Sequence, residues 1–178
     1  MKKIAQYKKE PMDETVYEML QNSNWIEREM SSVAMDDAVE AWEYAVKNAN
    51  NITTNYVLKI HKLMQKNLRA DIAGKFRDCD VYIGGECRRF ISEDVIRAGV
   101  KEVTDAMIDK IPRRFPVAEK EALAKATHIR FEKIHPHEDG NGRVGRILYN
   151  VHRLLLGLPI HIIHEGDEQM EYYKWFRD

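Results

Sequence analysis

The chain has 178 residues, of which 44% are hydrophobic, and its 28 Lys and Arg nearly balance 29 Asp and Glu, for a formal net charge of −1. This length predicts about one domain, and the near-neutral charge excludes an overall basic surface for nucleic acid. No apolar run approaches the roughly 18 residues of a membrane span, and no signal-peptide pattern follows the basic first residues. The two cysteines, Cys79 and Cys87, are too few for a disulfide framework and are expected to be free thiols. Together these features predict a cytoplasmic protein without nucleic-acid or membrane partners.

The first half of the chain predicts helices separated by polar breaks. Residues 1–22 are expected to form a polar lead-in and a short helix, which Asp13 caps and which ends near Gln21. A long helix is expected over residues 24–49, because apolar residues recur there at helical spacing. These apolar residues are Ile26, Met30, Val33, Ala38, Trp42 and Ala45. After a polar cluster, Thr53 or Thr54 is expected to cap a third helix.

Residues 79–90 predict a β-hairpin in an otherwise helical chain. Three strand formers precede a Gly-Gly pair, which supplies the positive φ of a two-residue turn. The strand and turn residues are Val81, Tyr82, Ile83, Gly84 and Gly85. Further helices are expected over residues 92–111, 117–134, 142–156 and 167–177. The sequence therefore predicts an all-α domain with one small hairpin.

The segment 135–146, His-Pro-His-Glu-Asp-Gly-Asn-Gly-Arg-Val-Gly-Arg, has the composition of an anion site. Gly140, Asn141 and Gly142 bring backbone N–H groups together at the start of a helix, whose positive end favours a phosphate group. Arg143 and Arg146 lie one turn apart on one helix face and can bind further phosphate oxygens. The segment thus predicts a site for a phosphorylated ligand.

Two further residues of this segment suggest chemistry. His135 is a candidate general base, because histidine titrates near neutral pH, and Asp139 is a candidate Mg²⁺ ligand. Three alternatives remain. The glycines of 140–145 match the dinucleotide-binding fingerprint, but that motif follows a strand. The run His135-x-His137-x-Asp139 resembles that of metallo-β-lactamase-like hydrolases, which need a β-rich frame. A solvated glycine loop is the third.

The segment resembles the Fic (Fido) motif, His-x-Phe-x-Asp/Glu-Gly-Asn-Gly-Arg-x-x-Arg. Residues 73–85 are similar to the family's segment that leads into a target-positioning hairpin, the flap, and the whole resemblance covers about residues 23–175. It implies a Fic-type helical fold and transfer of AMP from ATP to a protein hydroxyl, with release of pyrophosphate. His137 replaces the family's Phe, an anchor of the loop in the core, and is expected to do the same packing less well.

The resemblance implies a role for each matching residue. His135 would deprotonate the target hydroxyl, and Asp139 would bind Mg²⁺ between the α- and β-phosphates of ATP. The implied phosphate ligands are Asn141, the amides around Gly140 and Gly142, Arg143, and Arg146 at the γ-phosphate. Tyr172 and Tyr173 are candidates for the adenine pocket, although packing of a terminal helix explains them equally well. The flap would bind an extended target segment by strand addition.

The resemblance also suggests how the activity is regulated. Ser23-Asn-Trp-Ile-Glu27-Arg28 resembles the inhibitory motif Ser/Thr-x-x-x-Glu-Gly/Asn, except at Arg28. We hypothesise that Glu27 pairs with Arg146 and excludes productive ATP, which gives a Fic domain over residues 23–178 with a candidate inhibitory helix near 23–36. A solvent-exposed glutamate without this role, a separate inhibitory partner or a homodimer are alternatives, and self-modification is expected.

Other functions remain open within this resemblance. The enzyme alternatives are transfer of another nucleotide and removal of AMP at the same site. The non-enzyme alternative is a nucleotide-binding regulator or toxin–antitoxin component with little catalysis. The Gly-Asn-Gly-Arg run argues against the kinase-like Doc branch, whose loop carries a Lys.

Overall fold

The computed structural model describes residues 12–83, 85–109 and 115–177, which form seven α-helices, one two-stranded hairpin and a short 3₁₀ turn. The elements are α1 (Glu14–Ile26), α2 (Ser32–Lys47), α3 (Thr54–Gln65), β1 (Val81–Ile83), β2 (Glu86–Arg88), α4 (Glu93–Ile108), α5 (Val117–Ile134), α6 (Asn141–Leu155), α7 (Asp167–Tyr173) and the 3₁₀ turn (Lys174–Phe176). The predicted all-α fold with one hairpin is confirmed. The polar lead-in, Gly84 and the predicted helix end near residue 111 lie outside the described residues.

The predicted long helix over residues 24–49 is wrong, because two helices occupy this part of the chain. α1 continues to Ile26, and Arg28 then adopts a left-handed conformation with φ of 59°. Ser31 begins α2 by accepting a hydrogen bond from the Ala34 N–H at 3.1 Å, as an N-cap residue does. Met30 and Val33 of the expected apolar stripe are consequently exposed. The break leaves Glu27 at the end of α1, where its side chain can turn toward α6.

Side-chain caps set several other helix starts. Asp13 accepts a hydrogen bond from the Thr15 N–H at 2.8 Å, and Thr53 accepts one from Tyr56 at 3.3 Å. Ser92 caps α4 in the same way. α6 begins at Asn141, one residue before its expected start. The C-terminal helix is shorter than predicted, since α7 ends at Tyr173 and the chain continues as a 3₁₀ turn.

Helix α6 lies at the centre of the fold. Twelve of its fifteen residues are buried, and its apolar side chains share one core with α1, α2, α3, α4 and α5. The α6 residues in this core are Val144, Ile147, Leu148 and Val151. A helix that is enclosed on all sides cannot shift without disturbing the core. Its first turn, which carries the glycine-rich segment, is therefore held in a fixed position.

The hairpin is short and its β1–β2 pairing is antiparallel, with Ile83 opposite Glu86, so that two residues connect the strands. Gly85 has φ of 88°, a conformation that glycine adopts at little cost. Both Cys79 and Cys87 are free thiols. None of the helices that the structure describes is long and apolar enough to cross a lipid bilayer.

Candidate active site

The loop between α5 and α6 is closed by its own side chains. His135 ends α5 with φ of 48°, and Gly140 precedes α6 with φ of 78°. The side-chain oxygen of Asn141 accepts a hydrogen bond from the His137 N–H at 2.9 Å, and its amide donates to the His137 carbonyl at 2.8 Å. Both polar groups of the Asn141 side chain therefore hold the loop, which leaves the amides at the start of α6 for a ligand.

The geometry of His135 leaves one ring nitrogen with a lone pair. Its Nδ1 lies 3.3 Å from the Glu132 carbonyl oxygen, which only accepts hydrogen bonds, so Nδ1 carries the proton and Nε2 keeps a lone pair. Burial lowers the pKa of His135 to about 4, so that the ring is neutral near pH 7. Arg77 donates two hydrogen bonds of 2.8 Å, from Nε to the His135 carbonyl and from Nη1 to the Cys79 carbonyl. This arginine joins the loop to the base of the hairpin.

Arg143 is a buried cation with unused donors. Its Nε and Nη1 atoms have no hydrogen-bond partner within residues 12–83, 85–109 and 115–177. Its Nη2 lies 3.7 Å from Asp139 Oδ2, beyond hydrogen-bond distance. Buried guanidinium groups without partners are costly. Beside the first turn of α6, these donors suit the oxygens of a phosphate group.

Arg146 already has partners. Its Nη2 donates to Glu27 Oε1 at 2.7 Å and to the Ser23 carbonyl at 2.9 Å, and its Nε donates to Ser23 Oγ at 2.8 Å. Burial by itself lowers the pKa of Arg146, but Glu27, Tyr172 and Glu132 together raise it above its ordinary value, so the guanidinium stays charged. The ion pair expected between Glu27 and Arg146 is present, whereas its inhibitory role remains a prediction.

The Glu27 carboxylate lies directly over the first turn of α6. A Cβ atom on Gly142 would be 2.2 Å from Glu27 Oε1 and 3.1 Å from Arg146 Nη1. This is the position at which the positive helix end attracts an anion. Glu27 therefore occupies the space in which a phosphate group would meet both Gly142 and Arg146.

Asp139 is suited to be the one protein ligand of a Mg²⁺ ion. Its side chain is 53% exposed, and its Oδ2 accepts a hydrogen bond from Gln65 Nε2 at 3.2 Å. Mg²⁺ is commonly held by one or two carboxylates together with phosphates and water. The described parts of the chain hold no group of three or more His, Cys, Asp or Glu suited to a metal. A Mg²⁺ ion at Asp139 would thus take its other ligands from a nucleotide and from water.

Other predicted residues lie around this centre. Tyr172 is buried, its hydroxyl lies 2.8 Å from His128 Nε2, and its ring lies 5.9 Å from the Arg146 guanidinium. Tyr173 is half-buried and its hydroxyl accepts a hydrogen bond from Gln169 at 2.9 Å. Both tyrosines also pack against Ile26 and Ile163 in a small apolar cluster. They thus contribute to terminal packing, and Tyr172 in addition borders the site.

The hairpin presents a side chain to solvent. Val81 is buried, whereas Tyr82 is 71% exposed.

His137 of the loop between α5 and α6 is completely buried, and its ring stacks on that of His61 with 3.7 Å between centroids. Its Nδ1 donates to the Lys75 carbonyl at 2.7 Å. This histidine fills a core position, as the family's Phe is expected to, although its Nε2 has no hydrogen-bond partner in the described residues.

Sequence reasoning missed the contribution of α3 and α5. His61 and Gln65 of α3 contact Asp139, at its backbone and at its side chain. Glu132 of α5 is buried against Gly145, where an added Cβ would lie 2.0 Å from Glu132 Oε1, and burial raises the pKa of Glu132 to about 8. The signal for the α3 pair was two polar residues four apart on an otherwise apolar helix face.

The comparisons with known proteins point to one family. The Fic/DOC family model matches residues 51–152, more than half of the chain. A protein adenylyltransferase fic-1 of Caenorhabditis elegans is 29% identical over 129 residues, which are 71% of this chain and 24% of that protein. A protein adenylyltransferase Fic of Aedes aegypti is 27% identical over 146 residues, covering 82% and 28%. The chain thus spans about a quarter of the length of these curated relatives.

Solved structures share the fold. A Fic domain containing signaling protein from Bacteroides thetaiotaomicron superposes with a TM-score of 0.74 at 21% identity, covering 92% of this chain and 71% of that one. Fic-1 from C. elegans, residues 134–508, superposes with a TM-score of 0.70 at 19% identity, covering 96% and 59%. The fold, the motif loop and the family model agree, and the chain belongs to the Fic/DOC family.

Proposed function

We propose that the chain is a protein adenylyltransferase, which transfers AMP from ATP to a hydroxyl side chain of a target protein. The observation that carries the proposal is the juxtaposition of two groups at the loop between α5 and α6. His135 keeps a free lone pair on Nε2, and the buried Arg143 of the first turn of α6 has Nε and Nη1 donors without a hydrogen-bond partner in the described residues. A base beside an anion site is the arrangement that group transfer from a nucleotide requires. The names of the relatives, protein adenylyltransferase, support this choice of reaction.

In the proposed reaction, His135 Nε2 accepts the proton of a Ser, Thr or Tyr hydroxyl. The hydroxyl oxygen attacks the α-phosphorus of ATP, a new P–O bond forms, and the bond to pyrophosphate breaks. The amides of Gly140, Asn141 and Gly142 stabilise negative charge on the phosphates at the positive end of α6. Arg143 provides the Nε and Nη1 donors that are unpaired in the described residues. Asp139 would hold Mg²⁺, which neutralises charge that accumulates on the leaving phosphates.

Substrate placement involves two further parts of the molecule. The exposed edge of β1 and β2 is proposed to pair with an extended target segment, so that backbone hydrogen bonds bring the hydroxyl in line. Tyr172, which borders Arg146, is proposed to line the adenine pocket with Tyr173. We further propose that the chain acts in the cytoplasm, that it modifies itself, and that residues 23–178 form the Fic domain.

Glu27 is proposed to inhibit this reaction from within the chain. Its carboxylate lies over Gly142 and is bonded to Arg146, so a γ-phosphate and Glu27 would compete for the same guanidinium. Ser23 supports this state through two further hydrogen bonds to Arg146. Release of Glu27, by substitution or by a partner or second copy that displaces the end of α1, would open the site.

Transfer of label from two forms of ATP tests the proposal. We would incubate Glu27→Gly with Mg²⁺ and ATP labelled at either the α- or the γ-phosphate, with the double variant Glu27→Gly/His135→Ala as the control. The proposal expects covalent label from the α-phosphate alone, and none in the control. Label from the γ-phosphate would indicate phosphoryl transfer, whereas reversible binding without label would indicate a nucleotide-binding regulator.

A further inference from the structure

We propose that Gln65 is a positioning residue that orients the Asp139 carboxylate for a divalent cation, an inference that rests on the proposed function because the cation would enter with the nucleotide. Gln65 is the last residue of α3 and is fully buried. Its Nε2 donates to Asp139 Oδ2 at 3.2 Å. A Cβ atom on Gly140 would lie 2.5 Å from the same nitrogen. The amide is therefore directly beneath the backbone that precedes α6.

Gln65 is an unfavourable residue for packing alone. Its Oε1 is buried and has no hydrogen-bond partner in the part of the chain that the structure describes. A buried amide with an unmade hydrogen bond is destabilising, and an unbranched apolar side chain such as Met would fill the same space without that penalty. The bond from Nε2 to Asp139 is the interaction that an apolar residue could not provide.

Helix α3 holds Asp139 at two points. His61 lies one turn before Gln65, and its Nδ1 accepts a hydrogen bond from the Gly74 N–H at 3.0 Å. Its Nε2 must then carry the proton of the neutral ring, and it donates to the Asp139 carbonyl at 3.1 Å. His61 thus fixes the backbone of Asp139, and Gln65 fixes its carboxylate.

The half-exposed Asp139 carboxylate has two possible partners, Gln65 and Arg143, and its hydrogen bond with Gln65 favours one orientation. Arg143 Nη2 lies 3.7 Å from the same Oδ2 atom, a loose ion pair that is too long for a hydrogen bond and would become hydrogen-bonded at a closer approach. Such a pair would occupy both a candidate metal ligand and a candidate phosphate ligand. The bond to Gln65 uses one of about four lone-pair positions of the carboxylate, and leaves the others for a cation.

Cation binding without turnover tests the inference. In the Glu27→Gly background, Mn²⁺ would be titrated by electron paramagnetic resonance into protein saturated with an ATP analogue that has a methylene group between the α- and β-phosphates. Mn²⁺ prefers the same oxygen ligands as Mg²⁺. Gln65→Met is expected to weaken Mn²⁺ binding about tenfold, as loss of a residue that orients a metal ligand does. Gln21→Met, on half-buried Gln21 of α1, is the matched control.

The readouts separate positioning from a structural role. In Gln65→Met, affinity for the analogue in EDTA is expected to stay at the parent's value, and the melting temperature to stay at or above it, because the variant removes a buried Oε1 without a partner in the described residues. Equal losses with and without metal, or Mn²⁺ affinity within twofold of the parent, would overturn the inference. If the Glu27→Gly parent binds no analogue, the proposed function fails together with it. If that parent transfers AMP while Gln65→Met binds Mn²⁺ as tightly as the parent does, the inference alone fails.

Discussion

Neutralising Glu27 should tighten nucleotide binding by about an order of magnitude. The Arg146 side chain is 4% exposed and that of Glu27 is 39% exposed. A hydrogen bond between charged groups contributes about 1.5–3 kcal/mol, whereas an ion pair in solvent contributes at most about 1 kcal/mol. Because Arg146 is buried and Glu27 is partly exposed, we expect this ion pair to contribute about 1.5 kcal/mol. In the proposed inhibitory role, a phosphate group displaces Glu27 from Gly142 and Arg146, and this free energy would be subtracted from that of nucleotide binding. A difference of about 1.4 kcal/mol corresponds to a factor of ten in affinity.

Calorimetric titration with the α,β-methylene ATP analogue measures this difference directly. Glu27→Gln keeps the size of the side chain and removes its charge, and we expect it to bind the analogue about tenfold more tightly than the unsubstituted chain. Glu14→Gln is the matched control, because Glu14 lies in the first turn of the same helix, about 20 Å from Glu27 along its axis. Equal affinity of Glu27→Gln and the unsubstituted chain, or the same gain in Glu14→Gln, would refute the reasoning.

Two further predictions concern stability. Burial lowers the pKa of His61, His128, His135 and His152 to about 4 or below, and that of His137 well below its ordinary value. The unfolded chain therefore binds more protons below pH 6.5, and each histidine should remove up to about 1.4 kcal/mol per pH unit from the free energy of unfolding between pH 6.5 and 4. Glu132, whose pKa burial raises to about 8, and His164, whose pKa is raised by hydrogen bonds to Glu168 and Glu18, offset part of this loss. Thermal melts that showed constant or rising stability on acidification would contradict this assignment. Gly140→Ala should lower stability by about 2 kcal/mol or more, through a strained positive φ and a 2.5 Å clash with Gln65, and urea unfolding within 0.5 kcal/mol of the unsubstituted chain would argue against it.

Much of the fold could be predicted because its signals are local. Residue type and spacing alone predict Asp13 and Thr53 or Thr54 as helix caps, and the paired glycines as a hairpin turn. The break between α1 and α2 could not be predicted in this way, because apolar residues continue at helical spacing through Met30 and Val33. The left-handed Arg28 and the Ser31 cap decide that break locally, and the apolar periodicity outweighed them in the prediction.

The site residues also differ in how far a local sequence pattern could predict them. His135, Asp139 and the glycines lie within one contiguous segment, so their grouping was visible in the sequence. The contacts from Gln65 and His61 join residues 74 and 78 positions apart, and no local pattern specifies such a pairing. The Glu27–Arg146 ion pair spans 119 positions, and it was anticipated only through the family resemblance.

The central claim is covalent transfer of AMP with His135 as the base. Intact-protein mass spectrometry after incubation with ATP and Mg²⁺, on the unsubstituted chain, Glu27→Gly and His135→Ala, tests it most directly. We predict a gain of one or more adenylyl groups in Glu27→Gly, a smaller gain in the unsubstituted chain, and none in His135→Ala. An equal gain in His135→Ala, or no gain in Glu27→Gly while ATP is bound, would contradict the account.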